Sequence, residues 1–193
     1  MNVIAFNASP RKDGNTRRLI DAALAEIEKE GIDTEVVNIG RKKVHGCIAC
    51  MKCFENLDRR CIFDDDLING CIEKMAAADG IIIASPTYFA DMTPEAKALI
   101  DRAGFVGIAN GNLFSRKVGA GISVARRAGA VTTVDSINHF FGISDMVTVG
   151  STYWNVGFGL EKGDVDSDVE GIRTMQRLGQ NMAWLVKKIA GQP

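Results

Sequence analysis

Five short apolar runs punctuate the chain, at residues 3–6 (VIAF), 35–39 (EVVNI), 80–85 (GIIIAS), 118–125 (VGAGISVA) and 146–151 (MVTVGS). Apolar residues stand side by side in them rather than at every second position. That is the pattern of strands covered on both faces of a parallel sheet. The stretches between them carry the three-to-four-residue repeat of amphipathic helices. After the first run, Ile20, Leu24 and Ile27 share a face, and Gly31 falls where a helix commonly ends. From residue 164 to 189, Ile172, Met175, Leu178, Met182, Leu185 and Ile189 keep the same spacing. Asp164, Asp166, Asp168 and Glu170 crowd the start of that segment and Lys187 and Lys188 its end, matching the helix dipole. Strand and helix alternate without an internal repeat or a low-complexity linker. The expectation is an α/β fold in one domain, residues 1–193, with a five-stranded parallel sheet in the order 2-1-3-4-5 and helices on both faces.

Ligands of such sheets bind beyond the carboxyl ends of the strands. The first strand is followed there by NASPRKDGNT, residues 7–16. Ser9 and Thr16 offer hydroxyls, Asn15 an amide and Arg11 a cation, at the start of a helix whose first N–H groups lack partners. Two readings stay open for this stretch, a phosphate cradle and a polar turn in which Asn15 or Thr16 caps the helix. It has neither the GxxxxGK nor the GxGxxG pattern, which weakens nucleoside triphosphate and dinucleotide readings. The third apolar run leads into SPTYFADMTPEAKALIDR, where Pro86, Thr87, Tyr88, Phe89 and Met92 precede a helix with Thr93 as cap and Pro94 in its first turn. A polar loop beside an aromatic one suits a ligand with a charged tail and a flat ring; taken singly, Tyr88 and Phe89 read equally as core or subunit-contact residues.

Together the two stretches resemble those of the flavodoxin-like NAD(P)H-dependent FMN reductases, and within them the iron–sulfur flavoprotein branch. The resemblance spans roughly the first two-thirds of the chain, with Ala8 where the family usually carries Gly. It implies FMN as cofactor, with Ser9, Arg11, Asn15 and Thr16 on the phosphate. It places Pro86, Thr87, Tyr88, Phe89 and Met92 on the ribityl chain and ring. It also implies a homodimer or homotetramer. Flavin redox chemistry needs no protein acid or base, so no catalytic side chain is assigned. SVARRAGA, residues 123–130, follows the fourth run and reads either as a third ring-binding loop or as a solvated turn. The aromatic STYWNVGFG, residues 151–159, reads as an interface or a ring cover.

The segment HGCIACMKCFENLDRRCIFDDD adds Cys47, Cys50, Cys53 and Cys61, spaced C-x2-C-x2-C-x7-C. Such tight thiol spacing wraps one metal centre, and the first three positions match a ferredoxin-type run. The longer last gap, with no Pro after Cys61, departs from it. In the iron–sulfur flavoproteins a four-Cys motif at this place holds a 4Fe–4S cluster, which the resemblance implies here. Zinc, a redox-active dithiol and a metal-free loop are the competing readings. The segment, residues 41–63, is expected as an insertion after the second strand. Cys71 lies outside it and reads as a buried helix residue.

Composition narrows the field. A formal net charge of -1 leaves no footprint for nucleic acid or an anionic membrane, and no apolar run is long enough to span a bilayer. A cytoplasmic location follows as the expectation, and with it thiols or metal ligands rather than disulfides for the five Cys. Two functions remain. One is an FMN-dependent oxidoreductase drawing electrons from a reduced nicotinamide or a ferredoxin. The other is a non-catalytic thiol or metal redox sensor. Two separate loops devoted to a flavin favour the oxidoreductase.

Overall fold

The computed structural model describes residues 1–191. Its parallel strands β1 (Asn2–Asn7), β2 (Asp33–Asn38), β3 (Gly80–Pro86), β4 (Val118–Ala125) and β5 (Val147–Thr148) lie in the order β2-β1-β3-β4-β5, as expected. The helices are α1 (Asn15–Lys29), α2 (Lys52–Asn56), α3 (Ile68–Ala77), α4 (Pro94–Ala109), α5 (Ala130–Ile143) and α6 (Val169–Ile189).

The runs of adjacent apolar residues work as double-faced strands. Val3, Ala5, Ile82, Ala84, Ala120 and Ile122 pack with α1 and α6. Ile4, Phe6, Ile81 and Ile83 pack with residues of α3, α4 and α5 on the opposite face. Each large aliphatic side chain so enclosed stabilises the fold by about 1.5–3 kcal/mol. β3 is buried along nearly its whole length and β4 throughout, whereas the edge strand β2 is only half covered.

The fifth run differs from expectation. β5 keeps only two residues, and a strand absent from the sequence reading, β6 (Val156–Phe158), takes the other end of the same edge of β4. Val118 and Gly119 pair with β5, while Ser123, Val124 and Ala125 pair with β6. The intervening chain leaves the edge of β4 between Val149, whose N–H donates to Gly119 O, and Asn155, whose carbonyl accepts the Ser123 N–H, and β6 delivers the following loop to the carboxyl end of β4.

The segment starting at residue 164 is also divided. Asp164–Ser167 form a single 3-10 turn, and the Asp168 carboxylate then caps α6 by accepting the Gly171 N–H at 2.9 Å. Its acidic residues have specific partners: Asp164 accepts the N–H groups of Leu160 and Glu161, and Asp166 pairs with Arg18. Met175, Leu178 and Met182 are buried as the periodicity indicates, while Ile189 is half exposed. Gly31 follows the end of α1 with φ +74°, a conformation open to glycine at little cost.

Candidate functional site

The loops after β1, β3 and β4 meet at one end of the sheet and enclose a cleft. Ser9, Arg11, Asn15, Thr16, Pro86, Thr87 and Tyr88 line it, and so do Pro10, Val124, Ala125, Arg126, Gly159 and Leu160. Seven of the nine flavin-loop residues singled out from sequence thus share one cavity.

The first loop is shaped by its own polar groups. Asn7 Oδ1 accepts the Ser9 N–H at 3.1 Å, its amide donates to Asn38 Oδ1 at 3.0 Å, and Ser9 Oγ accepts the Arg11 N–H at 3.2 Å. Ser9, Asn15 and Thr16 are buried against the start of α1, and neither Gly14 nor any other side chain caps that helix. Its leading N–H groups therefore face the cleft region without intrahelical acceptors, the arrangement that favours an anion. Asn15 spends its side chain differently. Its Nδ2 donates to Glu161 O and its Oδ1 accepts the Gly163 N–H, both at 2.8 Å, while Arg11 Nη1 donates to Leu160 O at 3.0 Å. Both residues pull the loop after β6 over the cleft. Gly159 makes the approach possible: a Cβ there would lie 2.6 Å from Asn15 Nδ2.

The second loop is tied to the first. Thr93 caps α4 by accepting the Ala96 N–H, its hydroxyl donates to Ala8 O at 3.2 Å, and its own N–H donates to Ser85 Oγ at 2.9 Å. Thr87 Oγ1 lies within hydrogen-bonding distance of Ser123 and Thr133, which brings the residue 123–130 segment into the same network. Tyr88 and Asp91 exchange backbone hydrogen bonds, leaving Phe89 and Ala90 at a two-residue tip with φ +46° and +67°. Phe89 is fully exposed and Met92 is buried in the core beneath α4, so neither lines the cleft. The tight turn throws Phe89 outward, and the chain re-enters the core two residues after the tip.

The four cysteines line a second, small pocket, with Ile48, Met51, Ile62, Phe63, Arg102 and Phe105 among its walls. The cysteine segment lies between β2 and α3 and holds the short helix α2. Ala49, Met51, Leu57 and Arg59 all take positive φ, so the path of this segment is set against local preference. All four thiols are free. Burial pushes the Cys53 thiol above its ordinary value, and the nearby Cys50 and Cys61 sulfurs push it the same way. Arg102 Nε donates to Cys61 Sγ at 3.2 Å. Among the described residues, no three His, Cys, Asp or Glu side chains close on the position of a single metal ion. A mononuclear tetrahedral site would need its sulfurs about 2.3 Å from one point. A cubane instead takes one thiolate at each iron corner, so its ligands stand around a cavity wall. Four thiols around one pocket are a donor set that a cubane can use. Cys71 lies outside, buried in α3, its thiol pushed up to about 12 by burial.

Sequence reasoning missed Arg126, Leu160 and Arg102. The first was legible only as part of a loop with two readings, and the other two reach their sites through pairing and packing that no local pattern announces.

The comparisons agree with this geometry. The family model described as NADPH-dependent FMN reductase matches residues 1–161. An iron–sulfur flavoprotein of Methanocaldococcus jannaschii is 37% identical over 98% of this chain and 99% of its own length. One from Methanosarcina thermophila is 33% identical over 98% and 97%. Among solved structures, RosB with bound 8-demethyl-8-formylriboflavin-5'-phosphate superposes with a TM-score of 0.76 at 18% identity, covering 100% of this chain and 81% of that one. The WrbA-like flavodoxin of Agrobacterium tumefaciens gives 0.66 at 15% identity, covering 97% of each. Those two likenesses establish the shared flavodoxin-like fold. With the fold, the loop order and a family match over most of its length in agreement, the chain belongs to the NADPH-dependent FMN reductase family.

Proposed function

We propose that this chain is an FMN-dependent oxidoreductase of the iron–sulfur flavoprotein type, moving electrons between a reduced nicotinamide or a ferredoxin and an acceptor. It is read as a single-domain cytoplasmic protein that assembles as a homodimer or homotetramer. The observation that carries the reading is the meeting of seven flavin-loop residues, from the ends of β1 and β3, in one cleft.

Ser9, Thr16 and the leading N–H groups of α1 would hold the phosphate, with Arg11 adding charge at the rim. Asn15 acts mainly by clamping the loop at residues 159–163 over that position. Pro86, Thr87 and Tyr88, with Val124 and Ala125, would form the wall against the ribityl chain and ring and keep water off it. Phe89, fully exposed, and Met92, buried in the core, stay outside the cleft. Bound FMN supplies a ring that takes up a hydride and releases electrons singly. Cys47, Cys50, Cys53 and Cys61 would hold a 4Fe–4S cluster, which supplies one-electron transfer. The four thiols lining one pocket supply the ligands, and the likeness to iron–sulfur flavoproteins supports this assignment over zinc.

Anaerobically purified protein should show flavin absorption that bleaches with reduced nicotinamide or reduced ferredoxin. It should contain about four iron and four sulfide per chain. Cys50→Ser should remove iron and sulfide and leave FMN bound. A colourless protein whose thiols oxidise reversibly would overturn the oxidoreductase and favour the redox sensor. Flavin without iron would leave an FMN reductase and remove the cluster.

A further inference from the structure

Arg102 is left without a role by the flavin cleft. It occupies the middle of α4 in the run ALIDRAG, which reads as ordinary helix, yet only 1% of it is exposed. A buried guanidinium is destabilising unless its donors and charge are met. Here they are met by the cysteine segment. Nε donates to Cys61 Sγ at 3.2 Å, Nη1 to His45 O at 3.2 Å, and Nη2 to Phe63 O at 3.0 Å. Nη1 also pairs with the Asp66 carboxylate, both side chains wholly enclosed. Asp66 in turn accepts the N–H groups of His45 at 2.9 Å and Ile68 at 3.0 Å. The guanidinium carbon is 5.5 Å from the centre of the Phe63 ring. One side chain on a rigid helix therefore fixes the segment at residues 45, 61, 63 and 66, on both sides of the four cysteines.

We propose that Arg102 is the positioning residue of the cysteine pocket, and that its Nε–H bond to Cys61 Sγ raises the reduction potential of the centre held there. The inference rests on the cluster reading above. Reduction adds one negative charge to a centre already ringed by thiolates. A cation that donates an N–H to a ligand sulfur stabilises the more negative state. Asp66 keeps the guanidinium aligned and offsets part of its charge, so the donated hydrogen bond carries most of the effect. Lysine cannot replace this arrangement, because a single ammonium cannot span a sulfur, two carbonyls and a carboxylate as the planar fork does.

Arg102→Lys and Arg102→Gln test the proposal in two states of the full chain. In metal-free protein, amide hydrogen exchange over residues 45–66 should quicken by about tenfold or more in both variants, with β1, β3 and β4 unchanged. In anaerobically loaded protein, separate redox titrations of the cluster and the flavin are compared with the parent. The cluster potential should move negative in Arg102→Gln and less so in Arg102→Lys, with the flavin potential unmoved. If Arg102→Gln fails to keep iron, Arg102→Lys carries the titration. Unchanged exchange, an unchanged cluster potential in an iron-retaining variant, or equal shifts of both potentials would each overturn the proposal. A parent chain that takes up no iron would sink the cluster reading and the claim on its potential, while the exchange comparison would still decide whether Arg102 positions the segment.

Discussion

Asn15 and Thr16 are neighbours with opposite commitments. Asn15 spends both ends of its amide on Glu161 and Gly163, while Thr16 and Ser9 are buried where the first turn of α1 is uncapped. Phosphate affinity should therefore divide unevenly. Thr16→Ala and Arg11→Ala should each weaken FMN binding by about 1.5–3 kcal/mol, the worth of a hydrogen bond to a charged group, measured as recovery of flavin fluorescence on dilution. Wild-type affinity in both would remove the phosphate-loop reading. Residue types in NASPRKDGNT were enough to mark a polar loop at the carboxyl edge of the sheet, with a phosphate cradle and a capped turn both open. The division of labour was not legible, since it depends on a loop nearly 150 positions further on, which the residue separation of 148 between Asn15 and Gly163 makes plain.

At the scale of elements, runs of adjacent apolar residues marked β1, β3 and β4 well because both faces of each are covered, and marked β2 too although that edge strand is only half covered. β6 was hidden: three residues flanked by polar and aromatic ones carry no period, and they become a strand only by borrowing the free edge of β4. That short strand matters because it aims Gly159 and Leu160 at the cleft. Gly159→Val should force Asn15 or the backbone at Val165 to move, since even a Cβ meets them at 2.6 and 3.0 Å. Urea unfolding should report a loss of about 1–3 kcal/mol, the usual cost of overpacking, and FMN binding should weaken with it. Unaltered stability would mean that the loop is free to lift away. Phe89 shows the opposite limit. Its residue type suggested a ring contact, but the two-residue tip with positive φ decides where the side chain points.

For the molecule as a whole, the buried ionisable groups set the pH range of the fold. Burial pushes the Asp66 carboxyl up, but the Arg102 guanidinium and two backbone N–H groups outweigh it and hold the group below the ordinary carboxylate range. Its contribution is present above that range and is lost as pH falls through the lowered value. Cys71 acts at the other end. Its thiol, raised from 9.0 to about 12 by burial, favours folding fully below 9.0, and that contribution drains away as pH rises towards 12. Denaturant midpoints taken across pH should fall at both extremes. Cys71→Ala should flatten the alkaline fall and Asp66→Asn the acid one, with Asp66→Asn also costing about 3–5 kcal/mol near neutrality for the charge left unpaired. An alkaline limb unchanged in Cys71→Ala would assign it to other groups.

α4 ties its two ends to different chemistry. Thr93 at its start binds the two flavin loops together, and Arg102, nine residues on and about 13 Å along the axis at 1.5 Å per residue, anchors the cysteine segment. In terms of descent, the two sites are therefore not separable cargo. A lineage that discarded the cysteine segment would leave a guanidinium stripped of its acceptors on a helix that the flavin loops still need, and so would come under pressure to replace that one arginine. A lineage that acquired the segment would gain little from the four cysteines until an arginine stood at that turn. On the proposal that the cysteines hold a second centre, its gain and loss should run through a single codon in the middle of a helix whose start serves the flavin loops.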